Sequence, residues 1–229
     1  MKVSRHILAA AAVLACAAGS ASAAVISLNF EGINATYPSG YAFVQEFYNG
    51  GTSSDGTSGT NFGISFTPNA QAICLNSLTV SCSNTSRGGL APGSDKGALF
   101  FLSGPETFMN VAAGFTTGFS FNYSAANQGG SVSVYDGLGG TGTLLATLNL
   151  PTNGGSCPGY GAGFCPFGAS GIAFAGTALS VSFAGSANQI VFDDVTFGSI
   201  TPGIPEPSTY AMLGMGLLGL AFAARRKQA

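Results

Sequence analysis

Hydrophobic residues between positions 24 and 203 alternate with small polar residues along short segments, and turn-forming residues separate those segments. Clear cases of this period of two are Phe62-x-Ile64-x-Phe66, Phe119-x-Phe121-x-Tyr123, Val132-x-Val134 and Leu179-x-Val181-x-Phe183. Successive side chains of a β-strand point to opposite faces, so the alternation predicts strands that are buried on one side. Further candidate strands cover 25–30, 41–47, 98–102, 143–150 and 189–197.

These strands predict a single domain. A parallel sheet requires crossover connections, usually helices, and residues 24–203 show scarcely any stretch of helical period. About nine or ten short strands at this spacing are typical of a sandwich or barrel. We therefore expect an all-β fold, a single antiparallel β-sandwich of the jelly-roll kind over residues 24–203.

The predicted domain carries little charge, and most of that charge is negative. Only 7% of the chain is Asp, Glu, Lys or Arg, against about 25% in an average domain. Residues 24–204 contain two basic and eight acidic side chains, a net charge of −6. A domain with this charge cannot neutralise the phosphates of a nucleic acid, so nucleic acid is excluded as an expected partner.

Catalytic groups are also scarce in the predicted domain. The single histidine of the chain is His6, and no G-x-S-x-G motif occurs. Chemistry that needs an imidazole base or ligand is therefore not expected after residue 23. A carboxylate pair for glycoside hydrolysis remains conceivable on residue types alone. We do not expect an enzyme.

Residues 1–23 have the pattern of a secretory signal peptide. Lys2 and Arg5 precede an apolar run over 7–18, and Ala21-Ser22-Ala23 provides the small residues of a cleavage site. We expect export through the Sec machinery, removal by signal peptidase and a mature chain that begins at Ala24. The alternatives are a buried helix and lipidation of Cys16, where Leu14 departs from the usual small residue.

Residues 204–229 combine three features that suit a membrane-processed tail. Pro205-Glu206-Pro207 keeps the chain extended, and an uncharged run over 211–224 comes next. At 1.5 Å per residue the run forms a helix of about 21 Å, a marginal transmembrane span against a hydrocarbon core of about 30 Å. The basic residues Arg225, Arg226 and Lys227 would hold its end in the cytoplasm.

This order of features resembles the PEP-CTERM sorting signal of bacteria, which the membrane enzyme exosortase recognises and cuts near Pro-Glu-Pro. The resemblance covers the last 26 residues. It implies an exported protein at the cell surface or outside the cell, transiently anchored in the inner membrane by the short helix. It also implies exosortase as a partner and an environment rich in exopolysaccharide. A hydrophobic helix packed in a core is the alternative, but it leaves the terminal arginine pair without a role.

Four cysteines of the predicted domain form two matched pairs, Cys74 with Cys82 and Cys157 with Cys165, each separated by seven residues. Export into an oxidising space favours disulfides, and we favour the two local pairings among the three possible connectivities. The alternative is a metal site made of the four thiolates, although the spacings lack the C-x2-C of zinc sites.

Carboxylates lie near both ends of the predicted domain: Glu31 follows Phe30, and Asp193 and Asp194 precede Val195. These segments resemble those of carbohydrate-binding and adhesive jelly rolls, whose terminal strands lie side by side with a calcium ion. The resemblance implies a structural Ca²⁺ site at Glu31, Asp193 and Asp194.

Strand parity bears on this site. It places Asp193 on the face of Val191, Val195 and Phe197, and it turns Glu31 towards water unless a bulge intervenes. The alternative to calcium is an aspartate satisfied by backbone amides at a strand end.

Export, anchoring and a durable sandwich are what a structural protein of the cell surface or extracellular matrix needs. We therefore expect that role. The alternative is a carbohydrate-binding module, which the 18 Phe and 7 Tyr of the chain favour and the absence of Trp disfavours.

Overall fold

A computed structural model describes residues 25–34, 41–75, 87–88, 96–155 and 162–203. These residues form fourteen strands and a single 3-10 turn at Leu138–Gly140. The strands are, in chain order, Ile26–Leu28 (β1), Tyr41–Phe43 (β2), Ile64–Phe66 (β3), Gln71–Cys74 (β4), Arg87–Gly88 (β5), Gly97–Phe100 (β6), Glu106–Phe115 (β7), Gly118–Ala125 (β8), Gly130–Tyr135 (β9), Leu144–Leu150 (β10), Ala162–Gly163 (β11), Gly168–Ala173 (β12), Ala178–Gly185 (β13) and Ile190–Phe197 (β14).

Two antiparallel sheets pack face to face as a sandwich. The first has seven strands in the order β12-β8-β14-β6-β4-β2, with β1 added to the free part of β14. The second has five strands in the order β10-β9-β13-β7-β3. The prediction of an all-β antiparallel sandwich is confirmed. A separate pair, β5 with β11, is parallel and was not expected.

The core between the sheets consists mainly of phenylalanine and aliphatic side chains from the predicted alternating segments. The ring centroids of Phe192, on β14, and Phe183, on β13, are 4.8 Å apart, so the two sheets meet there. Val132 and Val134 of β9 are buried while their neighbours along the strand are partly exposed. Side chains at a spacing of two therefore fill the space between the sheets, as the alternation requires.

A second, smaller apolar cluster lies on the other face of the seven-stranded sheet. It consists of Ile73, Leu75, Ala98, Phe100, Phe164 and Val191. The core between the sheets packs on one face of β4 and the smaller cluster packs on the other, so all four residues of β4 are buried. A strand covered on both faces shows no alternation, and this explains why β4 was not predicted.

Strand β12 was not predicted either, because Gly168–Ala173 is rich in small residues. A Cβ atom on Gly171 would collide with the carbonyl oxygen of Ile200, which passes over this strand after β14. Small side chains are required there so that the segment 199–203 can pack onto the sheet.

Among the described residues no helix is long and apolar enough to cross a membrane. The predicted signal peptide at 1–23 and the predicted transmembrane helix within 204–229 lie outside the described residues.

Candidate functional site

The first and last strands of the sandwich lie side by side. Strand β1 pairs antiparallel with β14, so that Ile26 lies opposite Phe197 and Leu28 lies opposite Val195. The segments that carry Glu31 and the Asp193–Asp194 pair are therefore neighbours, as the resemblance to jelly rolls implied. We call these three residues the carboxylate cluster.

A β-bulge in β14 places the two aspartates. The pairing of β14 with β8 shifts register between Asp193 and Thr196, and Asp194 has a φ of 48°. Asp193 is 1% exposed and Asp194 is fully buried. A bulge adds one residue to a strand and so reverses the faces to which the later side chains point.

The bulge corrects the prediction that Asp193 shares a face with Val191, Val195 and Phe197. Val191 belongs to the outer cluster, whereas Val195 and Phe197 belong to the core between the sheets. Parity therefore fails between Val191 and Val195, which are separated by the extra residue.

Glu31 accepts hydrogen bonds at the start of β6. Its Oε1 atom receives the backbone N–H groups of Lys96, at 2.7 Å, and Gly97, at 2.6 Å. A Cβ atom on Gly97 would collide with the carbonyl oxygen of Phe30, so glycine is what permits this approach. Strand β1 ends at Leu28 and Phe30 has a φ of 55°, so strand parity does not extend to Glu31, which is partly buried.

Asp194 and Asp193 have different hydrogen-bond partners. The Asp193 Oδ1 atom accepts the backbone N–H of Asp194 at 2.7 Å. The Asn122 Nδ2 atom donates to Asp194 Oδ2 at 2.9 Å, while Asp194 Oδ1 is buried with no hydrogen-bond partner among the described residues. Sequence reasoning missed Asn122, although it lies between the core residues Phe121 and Tyr123 and so had to face outward.

Burial raises the pKa of Asp194 to about 6, because a charged carboxylate loses its hydration inside the protein. The hydrogen bond from Asn122 lowers this pKa, and the negative charge of Glu31 raises it further. The effect of Glu31 indicates that the two carboxylates are close. The arrangement can hold a proton on Asp194 below about pH 6.

The fit of a metal ion to the carboxylate cluster is limited. The described residues contain no group of three or more His, Cys, Asp or Glu side chains that could hold a metal ion. Oxygens of Glu31 and Asp193 accept backbone N–H groups, which agrees with the alternative of satisfaction by amides. A structural Ca²⁺ at Glu31, Asp193 and Asp194 stays a prediction from the sequence.

We expect the variant Asp194→Asn to be more stable than the unmodified protein at pH 8, and the difference to vanish near pH 4. The folded pKa of about 6 exceeds the unfolded value of about 3.9, so protonation of Asp194 stabilises the folded state. This stabilisation is complete below about pH 4 and is lost as the pH rises through 6. Asparagine has no such charge and keeps an oxygen for Asn122. The expected gain is on the order of 2 kcal/mol.

Urea unfolding at several pH values measures this difference. The variant Asp55→Asn, which removes an exposed carboxylate, controls for the change in net charge. A free-energy difference between Asp194→Asn and the unmodified protein that is the same at pH 4 and pH 8 would contradict the assigned proton.

Cys74 and Cys165 are adjacent in sequence to Leu75 and Phe164, two members of the small outer cluster. Cys74 ends β4 and is buried, and Cys165 follows the buried Phe164 and precedes Pro166 through a cis peptide bond. Cys82 and Cys157 lie outside the described residues, so the disulfides and their connectivity stay predictions.

Comparisons with known proteins give little beyond the tail. No curated protein matches the chain. A solved glycoside hydrolase family 43 arabinoxylan arabinofuranohydrolase from Bacillus subtilis, in complex with cellotetraose, is similar at 22% identity and a TM-score of 0.32. The match covers 44% of this chain and 21% of that one, so the chain spans about a fifth of its length. This likeness carries no argument about function.

The tail gives the one specific assignment. The PEP-CTERM protein-sorting motif matches residues 203–227, which include Pro205, Glu206, Pro207 and the basic residues Arg225, Arg226 and Lys227. Such a tail indicates exosortase processing and sorting to the cell envelope. The chain is an exported protein that carries a PEP-CTERM sorting motif behind a β-sandwich.

Proposed function

We propose that the chain is a structural protein of the bacterial cell surface or extracellular matrix, associated with exopolysaccharide. The observation that carries this proposal is the PEP-CTERM motif at 203–227, which begins as the sandwich ends. In this role the leader at 1–23 takes the chain through the Sec machinery and signal peptidase. The helix over 211–224 then anchors it in the inner membrane until exosortase cuts near Pro205.

The position of the tail supports this role. The last described residue, Gly203, donates its N–H to Thr196 Oγ1 at 2.8 Å, and Thr196 Oγ1 donates to Ser27 Oγ at 3.0 Å. Strand β1 and Gly203, the first residue of the matched motif, therefore both lie beside β14. A sandwich held at one edge leaves its remaining surface available to the matrix.

Disulfide pairing is part of the same proposal. The local bridges Cys74–Cys82 and Cys157–Cys165 would each close a short loop, and each would contribute on the order of 2 to 3 kcal/mol. Leu75 and Phe164, which lie within these two sequence intervals, belong to the small outer cluster. Bridges there would stabilise a part of the fold that has little apolar area of its own.

A carbohydrate-binding module is the alternative, and catalysis is not part of the proposal. Glu31 and Asp194 lie close together, but Glu31 accepts two backbone N–H groups and Asp194 is fully buried. A glycosidase needs two carboxylates that can reach a substrate. The buried Asp194 cannot serve as the second carboxylate of such a pair.

Fractionation of bacteria that express the intact chain tests the proposed function. We expect most of the protein in the envelope and the extracellular matrix, and release of the matrix pool when the polysaccharide is digested. Recovery of most of the protein from the cytosol would contradict the proposal.

A further inference from the structure

Two clefts of the sandwich share the lining residue Phe62, which lies just before β3. Their volumes are about 580 and 530 Å³. Ile26 of β1 lines the larger cleft and its neighbour Ser27 lines the smaller one. We call the two clefts together the Phe62 groove. Each is within the size range of small-molecule sites, about 300 to 1,000 Å³.

The larger cleft combines apolar walls with hydroxyl groups. Phe115 and Phe197 form part of its wall, while Thr116, Thr117 and Thr177 are exposed around it. No charged side chain of the described residues lines it. The hydroxyl of Thr177 makes no hydrogen bond within the described part of the chain, so it is available to a ligand.

The smaller cleft has a similar character. Phe62 is partly buried and stacks on Tyr48, with ring centroids 6.2 Å apart and an angle of 30° between the planes. The polar side chains of Asn29, Ser58 and Thr60 line the same cleft. Among the described residues that line this cleft, Glu31 alone is charged, and its Oε1 atom accepts two backbone N–H groups.

The turn between β7 and β8 is strained at the mouth of the larger cleft. Thr117 has a φ of 80°, and the N–H of Gly118 donates to the carbonyl oxygen of Thr116 at 3.0 Å. A three-residue turn with positive φ is rare, and threonine is a poor residue for it. Strain of this kind clusters at active sites and ligand clamps.

We propose that the Phe62 groove binds a neutral polysaccharide chain. A sugar ring presents C–H groups on its faces, which suit Phe62, and hydroxyls on its rim, which suit the threonines and Asn29. The net charge of −6 over residues 24–204 repels polysaccharides that carry uronate or phosphate groups. This inference rests on the proposed surface or matrix role and specifies the class of glycan and the residues that hold it.

Binding of the exported protein to neutral hexasaccharides of glucose, galactose and xylose, and to an acidic uronate hexasaccharide, tests the inference by calorimetry. We expect saturable binding of at least one neutral hexasaccharide and none of the acidic one. Thr177→Val and Thr60→Val keep the shape and remove one hydroxyl each, and each is expected to weaken binding about fivefold. Phe62→Leu is expected to weaken it about tenfold, through loss of the aromatic face.

Matched controls distinguish the groove from the rest of the sandwich. Thr147→Val removes an exposed hydroxyl from β10, at the opposite edge of the five-stranded sheet from β3. Phe108→Leu removes a partly buried ring from β7. Both controls should bind as the unmodified protein does. Melting curves identify any variant that unfolds, and the two threonine variants preserve the test if Phe62→Leu does.

Absence of neutral binding, preference for the acidic glycan, or equal effects of groove and control variants would each overturn the inference. Localisation is read separately by fractionation. A protein that reaches the envelope and matrix but binds no neutral hexasaccharide would overturn the groove and leave the proposed function standing.

Discussion

Replacing Phe192 with alanine is expected to lower the free energy of unfolding by about 3 to 5 kcal/mol. Phe192 is fully buried on β14. Its ring centroid lies 4.8 Å from that of Phe183, on the opposite sheet, and 5.6 Å from that of Phe121, on β8. Its removal leaves a cavity where the two sheets meet, and close packing around it prevents the cavity from collapsing. Urea unfolding of the exported protein measures the loss.

The variant Leu144→Ala is the control for this experiment. Leu144 begins β10 and is 51% exposed, so its truncation should change the stability by no more than about 0.5 kcal/mol. Equal losses for the two variants would contradict the position of the core between the sheets.

Deleting residues 204–229 is expected to move most of the protein from the envelope to the medium. The deletion removes most of the PEP-CTERM motif while leaving every described strand in place. Without the apolar run and the basic tail the chain lacks its predicted membrane anchor, so export should end in release. Immunoblots of medium, envelope and cytosol measure the redistribution.

A point variant separates sorting from anchoring. Replacing Pro205, Glu206 and Pro207 by alanine leaves the apolar run and Arg225 intact. We expect this variant to stay in the membrane at its unprocessed mass. Pro105→Ala, in an exposed loop of the sandwich, is the matched control and should be processed normally. Unchanged fractionation of both the deletion and the triple variant would contradict the role of the tail.

Most of the sandwich could be predicted because one face of most strands meets the core. In segments such as Phe119-x-Phe121-x-Tyr123 the alternation shows which side chains face the core, and strand β8 covers this segment. Strand β4 is buried on both faces and β12 is built of small residues beneath Ile200. Neither condition leaves a period of two in the sequence, so both strands escaped prediction.

The carboxylate cluster could be predicted only in part. Pairing of the terminal strands brings Glu31 near Asp194, as the resemblance implied. The bulge after Asp193 could not be predicted from the sequence, because no particular residue type is required where a strand gains one extra residue. The Phe62 groove was missed for a related reason: Phe62 continues the alternation of β3, and only the structure places it between two clefts.

Intact-mass analysis of the native exported protein tests the central claim, that the β-sandwich is the working molecule and both ends are processing signals. We expect a chain that begins at Ala24 and ends near Pro205-Glu206-Pro207. Its mass should also be lower than that of the reduced chain, because two disulfides remove the thiol hydrogens of Cys74, Cys82, Cys157 and Cys165. A cytosolic chain with the mass of all 229 residues, retaining both ends and free thiols, would contradict it.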